Sequence, residues 1–519
     1  MSQSKDGRKK VKPAASKKRA RKAPRNISPK IDSDSHLDES DGSENPRPSK
    51  KGKAIDVDSS LATSDSADDL QYLHYPAFGR RAMMLRETLW DKGEAERSRL
   101  EAVFPTTKVP YGLPHSDCDD EKDLRFDFIE TEIDSKMLDL TKALDWTMAS
   151  LKYGAPGRSI LPSFDKNQIL VIADYEAIYK DFVESGVEAD LIAMNSAAKK
   201  KEHALILGNS GIGKSVLLNY MLVRRLLEGK PTLFRTASES FLYTQLGVIW
   251  DDADIAKEFE KLDAAGVEVW VLCDRMAPLA KDQDMVNARL IEATSLEVAA
   301  YGSWEKALAP KMYFMDLWSW EEIYLLKEFY EFPLRTPRGM LTENDFIKRL
   351  WMAYFKHGGE PRLFMVTLRV FSTGDEFHQL WAYHQQRVKR ACIDGAHRDF
   401  QRTGLFGFHE HKDSHLMIAS RPPLRRLNGK VVASTKDKRP ACSGLEPDND
   451  ARTAWVAGIF AKELVRVNRS VAMDMVDSMI HFSDGKTLAG HIKEQVDHEL
   501  FEKAPMKKLV GSSCETDHG

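Results

Sequence analysis

Eight consecutive residues, Gly208-Asn209-Ser210-Gly211-Ile212-Gly213-Lys214-Ser215, satisfy every defined position of the phosphate-binding pattern G-x-x-x-x-G-K-[ST]. Each residue type has a chemical reason to be there. Glycines let backbone N–H groups turn toward phosphate oxygens, and a helix starting at the end of the loop adds the partial positive charge of its N-terminus. Lys214 can reach terminal phosphates, and Ser215 offers a hydroxyl to Mg²⁺. About sixty residues later, Val267-Glu268-Val269-Trp270-Val271-Leu272-Cys273-Asp274 is an apolar run ending in a carboxylate. A buried strand that presents one acid at its end is what a second Mg²⁺ contact needs, so Ser215 and Asp274 are the expected metal ligands. The next residue is Arg275 rather than Asp or Glu, and the usual adjacent base for activating water is missing. These residues therefore specify nucleotide binding better than they specify hydrolysis.

Further candidates lie downstream. Arg289 to Ser295 reads as a core strand ending in two hydroxyls, where Thr294 or Ser295 could sense a terminal phosphate, with Glu292 as an alternative base. The turn Gly358-Gly359-Glu360-Pro361-Arg362 presents Arg362 to its surroundings. No N-K-x-D guanine motif follows the loop, which favours ATP over GTP. Ser319 and Glu322 are spaced as a capping box at a strand-to-helix joint, a structural role. His409, His411 and His415 read as surface histidines, and Arg421 to Arg439 as a solvated basic linker.

Positioning the loop requires a strand before it and a helix after it, and the sequence supplies both. His203 to Leu207 is a short apolar strand, and Val216 to Glu228 has one apolar face. Gly229 stops that helix, and Pro231 starts the strand Thr232-Leu233-Phe234, completing a βαβ unit. Ile169 to Ile172 reads as a strand and Tyr175, Tyr179 and Phe182 as part of a helix that leads toward the loop. Lys311 to Met315 reads as another strand, and Asn344 to Phe355 and Ala451 to Ile480 as helical. A helical pattern also runs from Met83 to Phe104. The expected fold class is α/β with a parallel sheet and a mainly helical C-terminal region.

The chain has 519 residues, enough for several domains, and its net charge of -3 conceals an uneven distribution. Residues 1–70 are poor in large apolar side chains and are expected to form a disordered tail. The tail carries the basic cluster Lys17-Lys18-Arg19-Ala20-Arg21-Lys22, which resembles a nuclear localisation signal, and an acidic block follows it. Beyond it we expect a small globular region at 71–166, a nucleotide-binding core at 167–335 and a mainly helical region at 336–519. The five cysteines form no C-x-x-C pair, so neither a zinc knuckle nor a disulfide framework is indicated. No apolar run is long enough to span a bilayer, and no apolar signal core is found.

Taken together, "LILGNSGIGKSVLLNYMLVRRLLEGKP", "KMYFMDLWSWEEI", "HGGEPR" and "TLAGHIKEQVDHELF" resemble the ATPase module of the Crinkler and retrotransposon hot spot (RHS) superfamily, from Asn167 to Phe501. The resemblance implies a P-loop NTPase fold of the AAA+-like or STAND-like kind. It further implies that Lys214 and Ser215 hold phosphate and metal, Asp274 is the Walker B acid, Ser295 occupies a sensor position and Arg362 approaches nucleotide. Two departures stand out: no carboxylate-carboxylate-lysine nuclease set is found, and neither is the LxLFLAK-like header of secreted members.

The expected function is an ATP- and Mg²⁺-dependent, slowly hydrolysing regulatory NTPase. It would act in the nucleus of its own or a host cell, through a nuclear protein or nucleic acid, and is compatible with an oligomer. A non-catalytic nucleotide-dependent binding module and a P-loop kinase are the alternatives.

Overall fold

Apolar runs alternating with amphipathic helices build the core of this protein. The computed structural model describes residues 77–104, 107–112, 126–131, 135–143, 159–162, 166–193, 202–274, 288–295, 308–330, 334–336, 339–364, 374–398, 418–421, 426–427, 430–431 and 448–467, with a few shorter stretches between 332 and 495. The expectations placed on the tail 1–70, on His409, His411 and His415, and on most of 421–439 and 487–501 lie outside those residues.

In chain order, helices α1 (Ala77–Leu89) and α2 (Gly93–Leu100) precede strands β1 (Glu101–Val103), β2 (Thr107–Gly112), β3 (Phe126–Thr131), β4 (Lys136–Asp139) and β5 (Gln168–Val171). Helix α3 (Ala173–Ala193) then leads to β6 (Ala204–Gly208), α4 (Lys214–Leu227), β7 (Thr232–Arg235), β8 (Ser240–Thr244) and β9 (Gly247–Ile249). Next come α5 (Asp252–Ala264), β10 (Val269–Asp274), β11 (Ala288–Ala293) and β12 (Lys311–Met315). After them lie α6 (Trp320–Tyr324), β13 (Leu334–Thr336), β14 (Gly339–Leu341), α7 (Glu343–His357), α8 (Gly374–Arg398) and α9 (Ala454–Val467).

Seven strands make one sheet in the order β12-β6-β11-β10-β7-β8-β9. The first five run parallel, and β8 and β9 extend the β7 edge antiparallel. The fold is thus α/β with a mostly parallel sheet. Strands β6, β7, β10 and β11 are buried along their whole length, which is why they read as near-continuous apolar runs. Side chains alternate between two faces. Ile206, Leu272, Ile291 and Ala293 pack with Leu217, Leu218, Met221 and Leu222 of α4. Leu205, Leu207, Leu233, Val271, Cys273 and Leu290 pack with Ile255 and Phe259 of α5.

The upstream segment joins the first of these cores. Leu85, Leu89, Leu100, Met137 and Leu138 lie in the same apolar cluster as α4, α6 and α7. Strand β5 pairs with β4, and β4 with β1, in a separate antiparallel sheet. The helical pattern that begins at Met83 breaks at Asp91, whose φ of 55° cannot continue a helix, and it ends before β1. The β8–β9 hairpin and α5 were not legible as elements. Helix α5 is capped by Asp251, whose carboxylate accepts from the N–H groups of Ala253 and Asp254. No helix among the described residues is long and apolar enough to cross a membrane.

Candidate functional site

The Gly208–Ser215 loop joins the carboxyl end of β6 to the start of α4, the edge of an open α/β sheet where ligands characteristically bind. Gly213, immediately before α4, has φ 100° and ψ 16°, a left-handed conformation that glycine adopts without steric cost. A Cβ there would also strike the Tyr175 hydroxyl. The Lys214 ammonium folds back onto the loop and donates to the carbonyls of Gly208 and Asn209, both at 2.7 Å. Ser215 Oγ donates to Asp274 Oδ1 at 2.7 Å. That contact spans the sheet, because β11 separates β6 from β10. Asp274 is buried at the end of β10.

Three successive loop carbonyls accept from donors outside the loop. Arg362 N reaches Gly211 O at 3.2 Å, Trp318 Nε1 reaches Ile212 O at 2.8 Å, and Tyr175 OH reaches Gly213 O at 2.9 Å. Helix α3 supplies Tyr175, the β12–α6 joint supplies Trp318, and the segment after α7 supplies Arg362. Burial, together with the nearby negative charges of Glu322 and Asp174, holds the Tyr175 phenol well above its ordinary pKa, so it stays a donor.

No protein-family model matches this chain, and no curated protein does. The chemistry of the site therefore rests on its own geometry.

Both peripheral motifs converge on the loop. The expected capping box forms at the start of α6: Ser319 Oγ accepts from Glu322 N at 3.3 Å, and Glu322 Oε2 from Ser319 N at 2.8 Å. It fixes the joint that carries Trp318. Trp318 N in turn donates to Gly359 O at 3.0 Å. The approach is so close that a Cβ at Gly359 would fall on the Trp318 carbonyl. Arg362, besides its main-chain bond, has Nη1 3.5 Å from Ser210 Oγ. The Glu360 side chain lies against Gly211 and is bridged by Arg452 Nη2, while Arg452 Nε donates to His357 O at 2.6 Å.

Of the sequence-derived candidates, Lys214, Ser215, Asp274 and Arg362 thus meet at one place. Ser295 follows the end of β11, the strand between the loop and Asp274, and Thr294 N donates to Ile206 O at 3.1 Å beside it. Glu292 does not join them. It pairs in register with Leu205 and Cys273, whose side chains belong to the face covered by α5, whereas Ser215 and Asp274 meet on the α4 side. Burial raises the Glu292 carboxyl to about 7.

Sequence reasoning named Tyr175 only as a helical residue, Glu360 only as part of the turn before Arg362 and Trp318 only as part of an aromatic motif, and it missed Arg452. The one local signal was the capping box after Trp318. Tyr175 and Arg452 act on residues 38 and 92 positions away, and no local pattern encodes such pairings.

Proposed function

We propose that this chain binds ATP with Mg²⁺ at the Gly208–Ser215 loop as a P-loop NTPase of the AAA+/STAND-like, Crinkler/RHS kind, and that it turns ATP over slowly as a regulator of nuclear partners. The observation that carries the proposal is the Ser215–Asp274 hydrogen bond of 2.7 Å beside a lysine held at the loop. A hydroxyl and a carboxylate brought into contact in this way are the two protein ligands that Mg²⁺ takes when phosphate oxygens and water complete its shell. Among the described residues no group of three or more His, Cys, Asp and Glu side chains forms a self-sufficient metal site, so a cation here would depend on the nucleotide. Bound Mg²⁺ supplies charge neutralisation on the phosphates.

The chain's own residues would do the rest. Lys214 would exchange the Gly208 and Asn209 carbonyls for phosphate oxygens, and the loop N–H groups would hold the anion. Arg362 is next to the loop, at Ser210 and Gly211. Slow turnover follows from the missing base: Asp274 is succeeded by Arg275, and Glu292 lies on the opposite sheet face. The same facts favour a second reading, a non-catalytic module whose conformation depends on nucleotide.

Measuring ATP binding and phosphate release, with and without DNA or RNA, tests the proposal. The intact chain should bind Mg·ATP, and Lys214→Ala should weaken binding about 10- to 100-fold through loss of charge-assisted hydrogen bonds. Asp274→Ala should abolish phosphate release. Tight binding without turnover selects the non-catalytic module, and ADP formation only with an added acceptor selects a kinase. Failure of the intact chain to bind ATP rejects the proposal.

A further inference from the structure

Resting on that nucleotide-binding reading, we propose that Tyr175 and Trp318 are positioning residues for phosphate: they pull loop carbonyls outward so that the neighbouring N–H groups face the anion. The argument is one of peptide geometry. In a trans peptide the C=O of one residue and the N–H of the next point in opposite directions. Trp318 Nε1 holds the Ile212 carbonyl, so the Gly213 N–H is directed away from Trp318. Tyr175 OH holds the Gly213 carbonyl, so the Lys214 N–H is directed away from Tyr175. Arg362 N does the same for the Gly211 carbonyl and the Ile212 N–H.

Three successive N–H groups are thereby set before any ligand arrives, and a run of such groups forms an anion-binding concavity. Both aromatic donors are buried, with Tyr175 at 0% and Trp318 at 5% exposure, so water does not compete for the carbonyls they hold. The cost of arranging the loop is met in the free protein, and binding gains accordingly.

Tyr175→Phe is the clean test because it removes one hydroxyl. Gly213 O keeps the helical N–H of Leu217 at 2.9 Å, so the carbonyl is not left without a donor. The melting temperature without ligand should fall by no more than about 3 °C. Affinity for Mg·ATP should fall about three- to tenfold, the worth of one hydrogen bond. Trp318→Phe should show the same loss. Inorganic triphosphate, used as competitor, should weaken by the same factor as ATP, because the affected groups meet only phosphate. Unchanged ATP affinity in Tyr175→Phe overturns the inference, as does a loss that triphosphate does not share. An intact chain that binds no ATP rejects the parent reading instead, which separates the two failures.

Discussion

Glu292 is 1% exposed in the middle of the sheet, and its Oε2 has no hydrogen-bond partner among the described residues. Burial moves its carboxyl from 4.5 to about 7. A folded-state pKa above the unfolded one means that the native protein binds the proton more tightly. The stabilising effect of the neutral acid is therefore complete below about pH 4.5 and is lost as pH rises through about 7. Glu292→Gln, which cannot ionise, should match the intact chain near pH 4.5 and exceed it above pH 7 by on the order of 2–3 kcal/mol. Denaturant unfolding at several pH values would measure this. A pH-independent difference between the two proteins would refute it. Because Glu292 faces α5, the substitution should leave ATP affinity unchanged.

At the scale of elements, the turn between α7 and the loop is held from behind by α9. Arg452 precedes that helix, its side chain 3% exposed, and bridges Glu360 while binding His357 O. Thr453 Oγ1 adds a bond to Lys356 O at 3.2 Å and accepts from Val456 N at 3.1 Å, capping the start of α9 against the end of α7. Removing one partner of such a pair leaves a poorly hydrated charge behind, and that penalty exceeds the net worth of the pair. Arg452→Ala should cost about 2–4 kcal/mol. Arg452→Lys should recover only part, since an ammonium cannot reproduce the planar fork that reaches both acceptors. Equal unfolding midpoints for Arg452→Ala and the intact chain would show that the bridge contributes nothing.

At the scale of the whole molecule, residues from α1, α3, α4, α6 and α7 share one apolar cluster, and the glycine loop is anchored to three of those neighbourhoods. A ligand at the loop should therefore stabilise the shared core. At a hundred times its dissociation constant Mg·ATP should add about 2.7 kcal/mol, seen as a rise in melting temperature of about 3–5 °C. At the same ligand concentration Lys214→Ala should lose roughly half or more of that shift, and a shift equally large in that variant would contradict the role given to the lysine. Much of this architecture was legible along the chain. The βαβ unit, the loop and Asp274 at a strand end follow from residue type and from periods of two and 3.6, which act over a few neighbours. The capping box at Ser319 is equally local, spanning three residues. The β8–β9 hairpin escaped because its second strand, Gly247–Ile249, is only three residues long and offers too little pattern to register. Sheet order and register lie beyond any local pattern. They insert β11 between the loop and Asp274, turn Glu292 to the far face, and bring Tyr175, Trp318 and Arg362 onto three adjacent carbonyls. By itself the sequence determined which residue types stand together in the loop proposed to bind phosphate, because that depends on chemistry within eight residues. Only the tertiary structure decided which way those groups face, because the donors that orient them are between 38 and about 150 residues away and are brought there by packing.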